Sequence, residues 1–490
     1  MSQSIRVGNI KKIYIAGGLE KFSFNGISAM LVLYMVRYLN FSDLRAFEIF
    51  STAMAIGFIT PLIGGLFSNK ILNSQQTLVI GAIQMSLGFY FLLLNNSLFL
   101  YFGLANVVLG SGLIRANIPD LLGKICENEK RSPDSAFTIL YIIINIGTWL
   151  GTIACGVLGE TCGWHWSFII AGTAILLFVP LIGVKSPPVS QDCILKPLNK
   201  LKMLRKISTS ALILGGTTVV IFILIKNNFI LNLLMPALGL GCIIFMVIIT
   251  VISYSKAIGN TLVLIIFMLL QSVFFSLYSQ ENLSIILFSE SGVSHTIISL
   301  FGIEKINLFG HTLSAIPTTF FQTLDPAWNV IIGVLLAFLW FGKKSNCTAL
   351  NAFYKFFLGV IAITIAFKLL STAIVLANPK NISPWWMIIT YGLFVMGELF
   401  IVPIGLSLVS SLSPKKISSV FMAIWYLSFG FSLWFAGVLA EKFRPIQSSN
   451  HTDYYLHLFG DFSLLGLILV FCLLATIFFL SRINFKEVSL

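Results

Sequence analysis

The chain is a succession of apolar runs separated by short polar loops. The runs cover about 20–38, 46–68, 76–94, 98–119, 137–158, 165–184, 209–225, 229–252, 260–288, 324–341, 353–377, 384–411, 418–440 and 462–481. Most are close to the roughly 20 residues that an α-helix needs to cross the hydrocarbon of a bilayer at about 1.5 Å per residue. None alternates polar and apolar positions as a half-wet strand would. The pattern predicts an all-α polytopic membrane protein with fourteen spans, and an even number of spans places both ends of the chain on one side.

Composition sharpens this reading. Of the 490 residues 57% are apolar and 10% charged, whereas a soluble domain carries about 25% charged residues. The net charge of +13 would suit a nucleic-acid partner if the basic residues formed a patch, but they lie in loops. Twenty fall on the side of the N-terminus and seven on the other, so the positive-inside rule places both termini in the cytoplasm and removes nucleic acid as a partner. The first sixteen residues hold Arg6, Lys11 and Lys12 without a small-residue cleavage site, and the first helix is expected to remain as an anchor. The seven cysteines, at 126, 155, 162, 193, 242, 347 and 472, lack metal-type spacing; no disulfide, metal or cofactor is expected.

The longest inner loop, about 185–208, suggests three parts: a six-helix half over 1–184, an inner loop with an extra helix pair over 185–256, and a second six-helix half over 257–490. Six plus six with two helices added is the layout of the major facilitator superfamily, whose halves alternate access to a central site.

A charge in mid-membrane costs at least about 2.5 kcal/mol, so embedded charges mark paired or functional sites. They are Glu20, Lys21, Arg115, Glu281, Asp325, Lys368 and Glu398. Lys368 has a stem long enough to snorkel. Glu20 and Lys21 lie near a helix end, where an interfacial pair and a gate are both open readings. Arg115 and Glu398 have no water-facing end nearby and are expected to face each other or a cavity. Gly110, Gly112, Pro61, Pro317, Pro326 and Pro403 are read as kink positions.

Several strings resemble the proton-dependent oligopeptide transporter family, a branch of the major facilitators. Gly397-Glu398-Leu399 with Pro403-Ile404-Gly405-Leu406-Ser407 is similar to its Gly-Glu-Leu…Ser-Pro-x-Gly-Leu element, and Phe321-Gln322-Thr323-Leu324-Asp325-Pro326 to Phe-Gln-x-x-Asn-Pro. Phe137-Thr138-x-x-Tyr141-x-x-x-Asn145-x-Gly147 resembles its fifth-helix signature, Gly163-Trp164-His165-Trp166-Ser167-Phe168 the segment after it, and Gly112-Leu113-Ile114-Arg115-Ala116-Asn117 its Gly-x-x-Lys-Pro-Asn.

The resemblance implies that Arg115 takes a substrate carboxylate, that Glu398 and Asp325 take an amino end, and that Tyr141, Asn145, Gln280 and Trp425 complete the binding residues. Glu20, Lys21, Arg115, Glu398 and Asp325 are the implied gating and proton-coupling groups. A zwitterion suits a fixed cation and a fixed anion in a low-dielectric cavity.

Departures from the family are plain. Its Glu-x-x-Glu-Arg-Phe-x-Tyr-Tyr becomes Gly17-Gly18-Leu19-Glu20-Lys21-Phe22-Ser23-Phe24-Asn25, and its Phe-Glu-Gln becomes Tyr278-Ser279-Gln280. Glu281 lies two residues after the lost carboxylate, about 200° around a continuous helix, and is not expected to replace it. Asp325, which can titrate where the family has Asn, has two readings: a coupling carboxyl, or a helix cap with Pro326 at the first helical position.

The expected function is secondary active transport of di- or tripeptides or a related small zwitterion, driven by protons, by a monomer in the bilayer of a bacterial inner membrane. The alternatives are a carrier for a non-peptide metabolite and a sensor or scaffold that keeps the fold without transport. An enzyme is not expected, since the spans hold no paired His, no Ser-His-Asp order and no clustered carboxylates in sequence.

Overall fold

A computed structural model describes residues 8–129, 133–183, 197–296, 306–308, 311–313, 315–340, 349–377, 382–414, 417–442 and 451–482. The helices are α1 Gly8–Leu33, α2 Asp43–Lys70, α3 Ser74–Leu92, α4 Ser97–Glu129, α5 Pro133–Gly151, α6 Leu158–Cys162, α7 Trp164–Gly183, α8 Pro197–Lys226, α9 Asn228–Ser253, α10 Ile258–Tyr278, α11 Ser284–Gly292, α12 Leu324–Trp340, α13 Ala349–Leu376, α14 Pro384–Leu412, α15 Ser418–Lys442 and α16 His451–Arg482. Among the described residues, eleven spans are long and apolar enough to cross a membrane. With α1, α3 and α12 they make the fourteen that the apolar runs predict. Large apolar side chains stand exposed on α8, α9 and α16, among them Leu212, Phe229, Ile252 and Phe471, as a lipid-facing surface requires.

Helix ends follow local chemistry. Asn73 accepts a hydrogen bond from the Gln76 amide at 2.7 Å while the Gln76 side chain accepts from the Asn73 amide, a reciprocal cap that starts α3. Gly163, at φ +108°, ends α6 where a side chain would be strained. Pro384 opens α14 at a position whose N–H needs no helical partner.

The chain divides into two compact units, Met1–Ser42 with Thr52–Asn228, and Asp43–Ser51 with Phe229–Leu490. In the first, α1 meets α5 backbone to backbone. A Cβ on Gly147 would collide with the Gly18 carbonyl and one on Gly151 with the Phe22 carbonyl, while one on Gly26 would lie 2.6 Å from the Gly151 oxygen. Gly147-x-x-x-Gly151 is the small-residue spacing that lets helices approach in lipid. Gly110 and Gly112 are likewise contact positions: a Cβ on Gly110 would come 2.6 Å from the Gly81 oxygen, and one on Gly112 would strike Thr60. α8 is held to this unit by Gln84 Nε2 donating to Thr218 Oγ1 at 3.0 Å. Overpacking a core costs about 1–3 kcal/mol. Gly151→Val, which meets backbone and not a flexible side chain, is therefore expected to lower the melting temperature of the purified protein sharply, and wild-type melting would refute the contact.

In the second unit α9 is tied to α15 by Trp434 Nε1 donating to Asn232 Oδ1 at 2.7 Å, and Trp328 Nε1 donates to the Ile388 carbonyl at 2.9 Å, fixing α12 against α14. The run read as one span over 260–288 is broken. α10 stops at Tyr278, a 3₁₀ turn occupies Ser279–Asn282, and α11 resumes at Ser284. The connection beyond holds an antiparallel pair, Ile306–Leu308 with His311–Leu313, which no apolar alternation announced. Of the remaining prolines, Pro61 and Pro403 do lie inside helices, whereas Pro317 precedes a 3₁₀ turn over Thr318–Thr323 and Pro326 sits in the first turn of α12.

Candidate functional site

Each unit carries a cluster of charge inside its helices. In the first, Glu20 on α1 is 2% exposed and its Oε1 accepts from Arg115 Nε at 2.9 Å and from Ser111 Oγ at 2.6 Å. Ser111 and Arg115 are one turn apart on α4, so both donors reach the same carboxylate. Phe24, one turn after Glu20, lies under the guanidinium at 4.1 Å from ring centroid to Cζ, a cation–π contact. Lys21 lies within electrostatic reach of both Glu20 and Arg115. The reading of Glu20 as part of an interfacial pair is therefore corrected: it is buried, and it is the partner of Arg115. Arg115 itself keeps 19% of its side chain exposed, so the cation has its counter-ion on one side and an accessible edge on another.

In the second unit, Tyr278 at the end of α10 reaches two carboxylates. Its Oη is 2.5 Å from Asp325 Oδ1 on α12 and 2.8 Å from Glu398 Oε2 on α14. A phenol has one proton to donate and lone pairs to accept. With both contacts made as hydrogen bonds, one carboxyl group must supply the second proton. Asn329, one turn after Asp325, donates to Glu398 Oε2 at 3.2 Å. No described Lys, Arg or His makes an ion pair with either carboxylate. The helix-cap reading of Asp325 does not hold, because α12 already begins at Leu324 and the side chain turns to Tyr278. Glu281, in the 3₁₀ turn, is within electrostatic reach of Asp325 and Glu398. The 200° separation was derived for a continuous helix; the 3₁₀ turn changes the angle but still sets Glu281 in a different direction from Ser279.

The other residues singled out from sequence sit as follows. Tyr141 and Asn145 lie one turn apart on α5, where Asn145 Nδ2 donates to the Tyr141 carbonyl at 3.0 Å. Trp425 is fully buried and its Nε1 donates to Gln271 Oε1 at 2.7 Å. Gln280 is also fully buried, donating to the carbonyls of Ala436 and Ser276 and accepting from Ser284; both side chains brace the second unit. Lys368 stands exposed on α13. Sequence reasoning passed over Tyr278, Asn329, Ser111 and Phe24. The spacings Ser111-x-x-x-Arg115 and Asp325-x-x-x-Asn329 were the available signals.

Fourteen spans with buried charge in both units define a polytopic carrier of the major facilitator fold. Residues 45–456 match the model of the POT family, and the chain belongs to that family. The dipeptide and tripeptide permease A of Proteus mirabilis (strain HI4320) is 29% identical over 434 residues, covering 86% of this chain and 83% of the permease. The dipeptide and tripeptide permease B of Aliivibrio fischeri (strain MJ11) is 29% identical over 88% of this chain and 85% of its own. Among solved structures, one from work on substrate recognition in proton-dependent oligopeptide transporters matches with a TM-score of 0.78 at 23% identity, over 98% of this chain and 100% of that one. A POT family transporter in complex with 5-aminolevulinic acid matches at 0.75 and 20% identity, over 97% and 96% of the two chains.

Proposed function

We propose that the protein is a secondary active transporter that moves di- and tripeptides by alternating access, coupled to protons, in a bacterial inner membrane with both termini in the cytoplasm, and that it works as a monomer. The observation that carries this reading is the carboxylate cluster of the second unit, Asp325 and Glu398 around Tyr278, which has no cationic partner among the described residues. Buried negative charge without a counter-ion is costly, and either a proton or a substrate ammonium relieves it. Proton and ammonium both act on the charge of this one cluster, and that shared electrostatics ties the binding of one to the binding of the other. Arg115, with an exposed edge, offers a guanidinium to a substrate carboxylate. Tyr141 and Asn145 are assigned to substrate contact on α5, and Lys21 with Glu20 to gating. Gln280 and Trp425 support the binding residues from behind. The relatives named dipeptide and tripeptide permeases support the choice of peptide.

The test is exchange of labelled dialanine in vesicles reconstituted with the purified protein, with and without an inward pH gradient. Counterflow without a gradient, and accumulation with one, are expected. Absence of dialanine exchange by a protein that exchanges another zwitterion, such as 5-aminolevulinic acid, would transfer the reading to a non-peptide substrate, and no exchange of either would support a sensor or scaffold.

A further inference from the structure

Resting on the reading of proton-coupled transport, we infer that Glu281, and not the position where the family carries its coupling carboxylate, is the side chain that takes up the transported proton. That family position is Ser279 in this chain. Glu281 follows Tyr278 by three residues, a spacing that a 3₁₀ turn sets on one side of the chain. The chain tightens to a 3₁₀ turn over Ser279–Asn282, and Leu283, at φ −114° and ψ −93°, re-aims it before α11 begins. The carbonyl of Glu281, freed from the helical ladder, accepts from Gln322 Nε2 at 2.7 Å, so the break is held by a side chain brought in from the segment leading to α12.

The carboxyl of Glu281 is 7% exposed. Its Oε1 accepts from Asn282 Nδ2 at 2.9 Å, while Oε2 is buried without a partner. The hydroxyl of Tyr391 on α14, also fully buried, has no partner either, and Tyr391 lies within electrostatic reach of Glu281 and Asp325. The charged groups facing Glu281 are Asp325 from α12 and Glu398 from α14, with Tyr278 beside it on its own chain segment. α15, packed on the same turn, brings the Ala436 carbonyl to Gln280, and no described basic side chain pairs with Glu281. An anion in such surroundings has only like charges for neighbours and one oxygen without a donor, a costly state in a low-dielectric interior. A proton on Oε2 removes the charge and supplies the missing donor. Nothing larger fits an oxygen buried this completely, so an ammonium is left to Asp325 and Glu398, whereas the proton goes to Glu281. A proton on Glu281 takes like charge away from Asp325 and Glu398, so that the pair is freer to stand ionised and hold the ammonium; proton and substrate are then loaded together from the acidic side and leave together on the other.

The experiment compares wild type, E281Q and E281D in two arms. In vesicles, one pH unit supports up to about tenfold accumulation per coupled proton. E281Q should not accumulate dialanine beyond equilibrium yet should keep counterflow within about twofold of wild type, and E281D should restore part of the accumulation. In detergent, a proton held by the folded protein is lost on unfolding, so wild-type melting should fall as pH rises while the E281Q curve is flatter. Full accumulation by E281Q, loss of counterflow and accumulation together in a folded E281Q, or parallel melting curves would each overturn the inference. A wild type that melts as expected but exchanges no dipeptide would reject the transport reading and leave the proton site standing.

Discussion

Arg115→Ala is expected to abolish uptake and also to destabilise the protein by about 3–5 kcal/mol, because it strands a buried carboxylate. Glu20 is 2% exposed and its other side-chain donor is Ser111, so the loss of the guanidinium leaves an anion with a single hydroxyl donor and the charge of Lys21 beyond ion-pair distance. The two effects separate in a double mutant. Glu20→Gln in the Arg115→Ala background removes the stranded charge and should recover most of the melting temperature, with Ser111 still donating to the amide oxygen. Uptake should stay at background, since the cation offered to the substrate is gone. Recovery of transport along with stability would show that Arg115 serves only to neutralise Glu20, and its role as carboxylate receptor would be lost. Ser111→Ala, which removes the 2.6 Å bond and keeps the ion pair, should fall between wild type and Arg115→Ala in stability.

Glu398→Gln and Asp325→Asn are expected to differ although both carboxylates meet the same phenol. Glu398 is held by two donors, Tyr278 and Asn329, on one oxygen, and so presents a fixed anion. Asp325 shares these two neighbours, but its close bond is the one to Tyr278 at 2.5 Å, while Asn329 Nδ2 is turned to Glu398 Oε2 at 3.2 Å. A hydrogen bond to a charged group contributes about 1.5–3 kcal/mol, and about 1.4 kcal/mol is a factor of ten in affinity. Glu398→Gln should therefore weaken dialanine binding by about ten- to a hundredfold, read as the half-saturating concentration in counterflow. Asparagine at 325 can still hydrogen-bond to Tyr278 and mimics the protonated acid. Asp325→Asn should weaken counterflow less than Glu398→Gln does and should lose part of the accumulation driven by a pH gradient. Equal losses from the two substitutions would mean that the carboxylates act as one unit, without the division of labour argued from Asn329.

Much of the architecture was written in the run lengths, because a helix in lipid must satisfy its own backbone and needs about 20 apolar residues to do so. The charged residues were legible for the same reason: so little charge is embedded that Arg115, Asp325 and Glu398 stand out. What could not be read was pairing. Arg115 and Glu20 are 95 residues apart, and no spacing on one helix names a partner on another. The break after Tyr278 was hidden too. Ser279-Gln280-Glu281-Asn282 contains neither Pro nor Gly, the usual punctuation; the freed carbonyl is held by Gln322, 41 residues on. Tyr278 was visible only as a departure from a motif, and its place between two acids depends on three helices meeting.

The contact between α1 and α5 has a mechanical meaning. Gly18 and Phe22, whose carbonyls lie against Gly147 and Gly151, flank Glu20 by two residues on either side. With its backbone clamped above and below, α1 cannot slide or turn at that point without driving peptide groups into each other. Glu20 is thus the fixed post of the ion pair, and Arg115, on a long side chain with several rotatable bonds, is the latch. Any cycle that opens and remakes this pair therefore moves Arg115 and α4 against α1 and α5, which travel together as one strut.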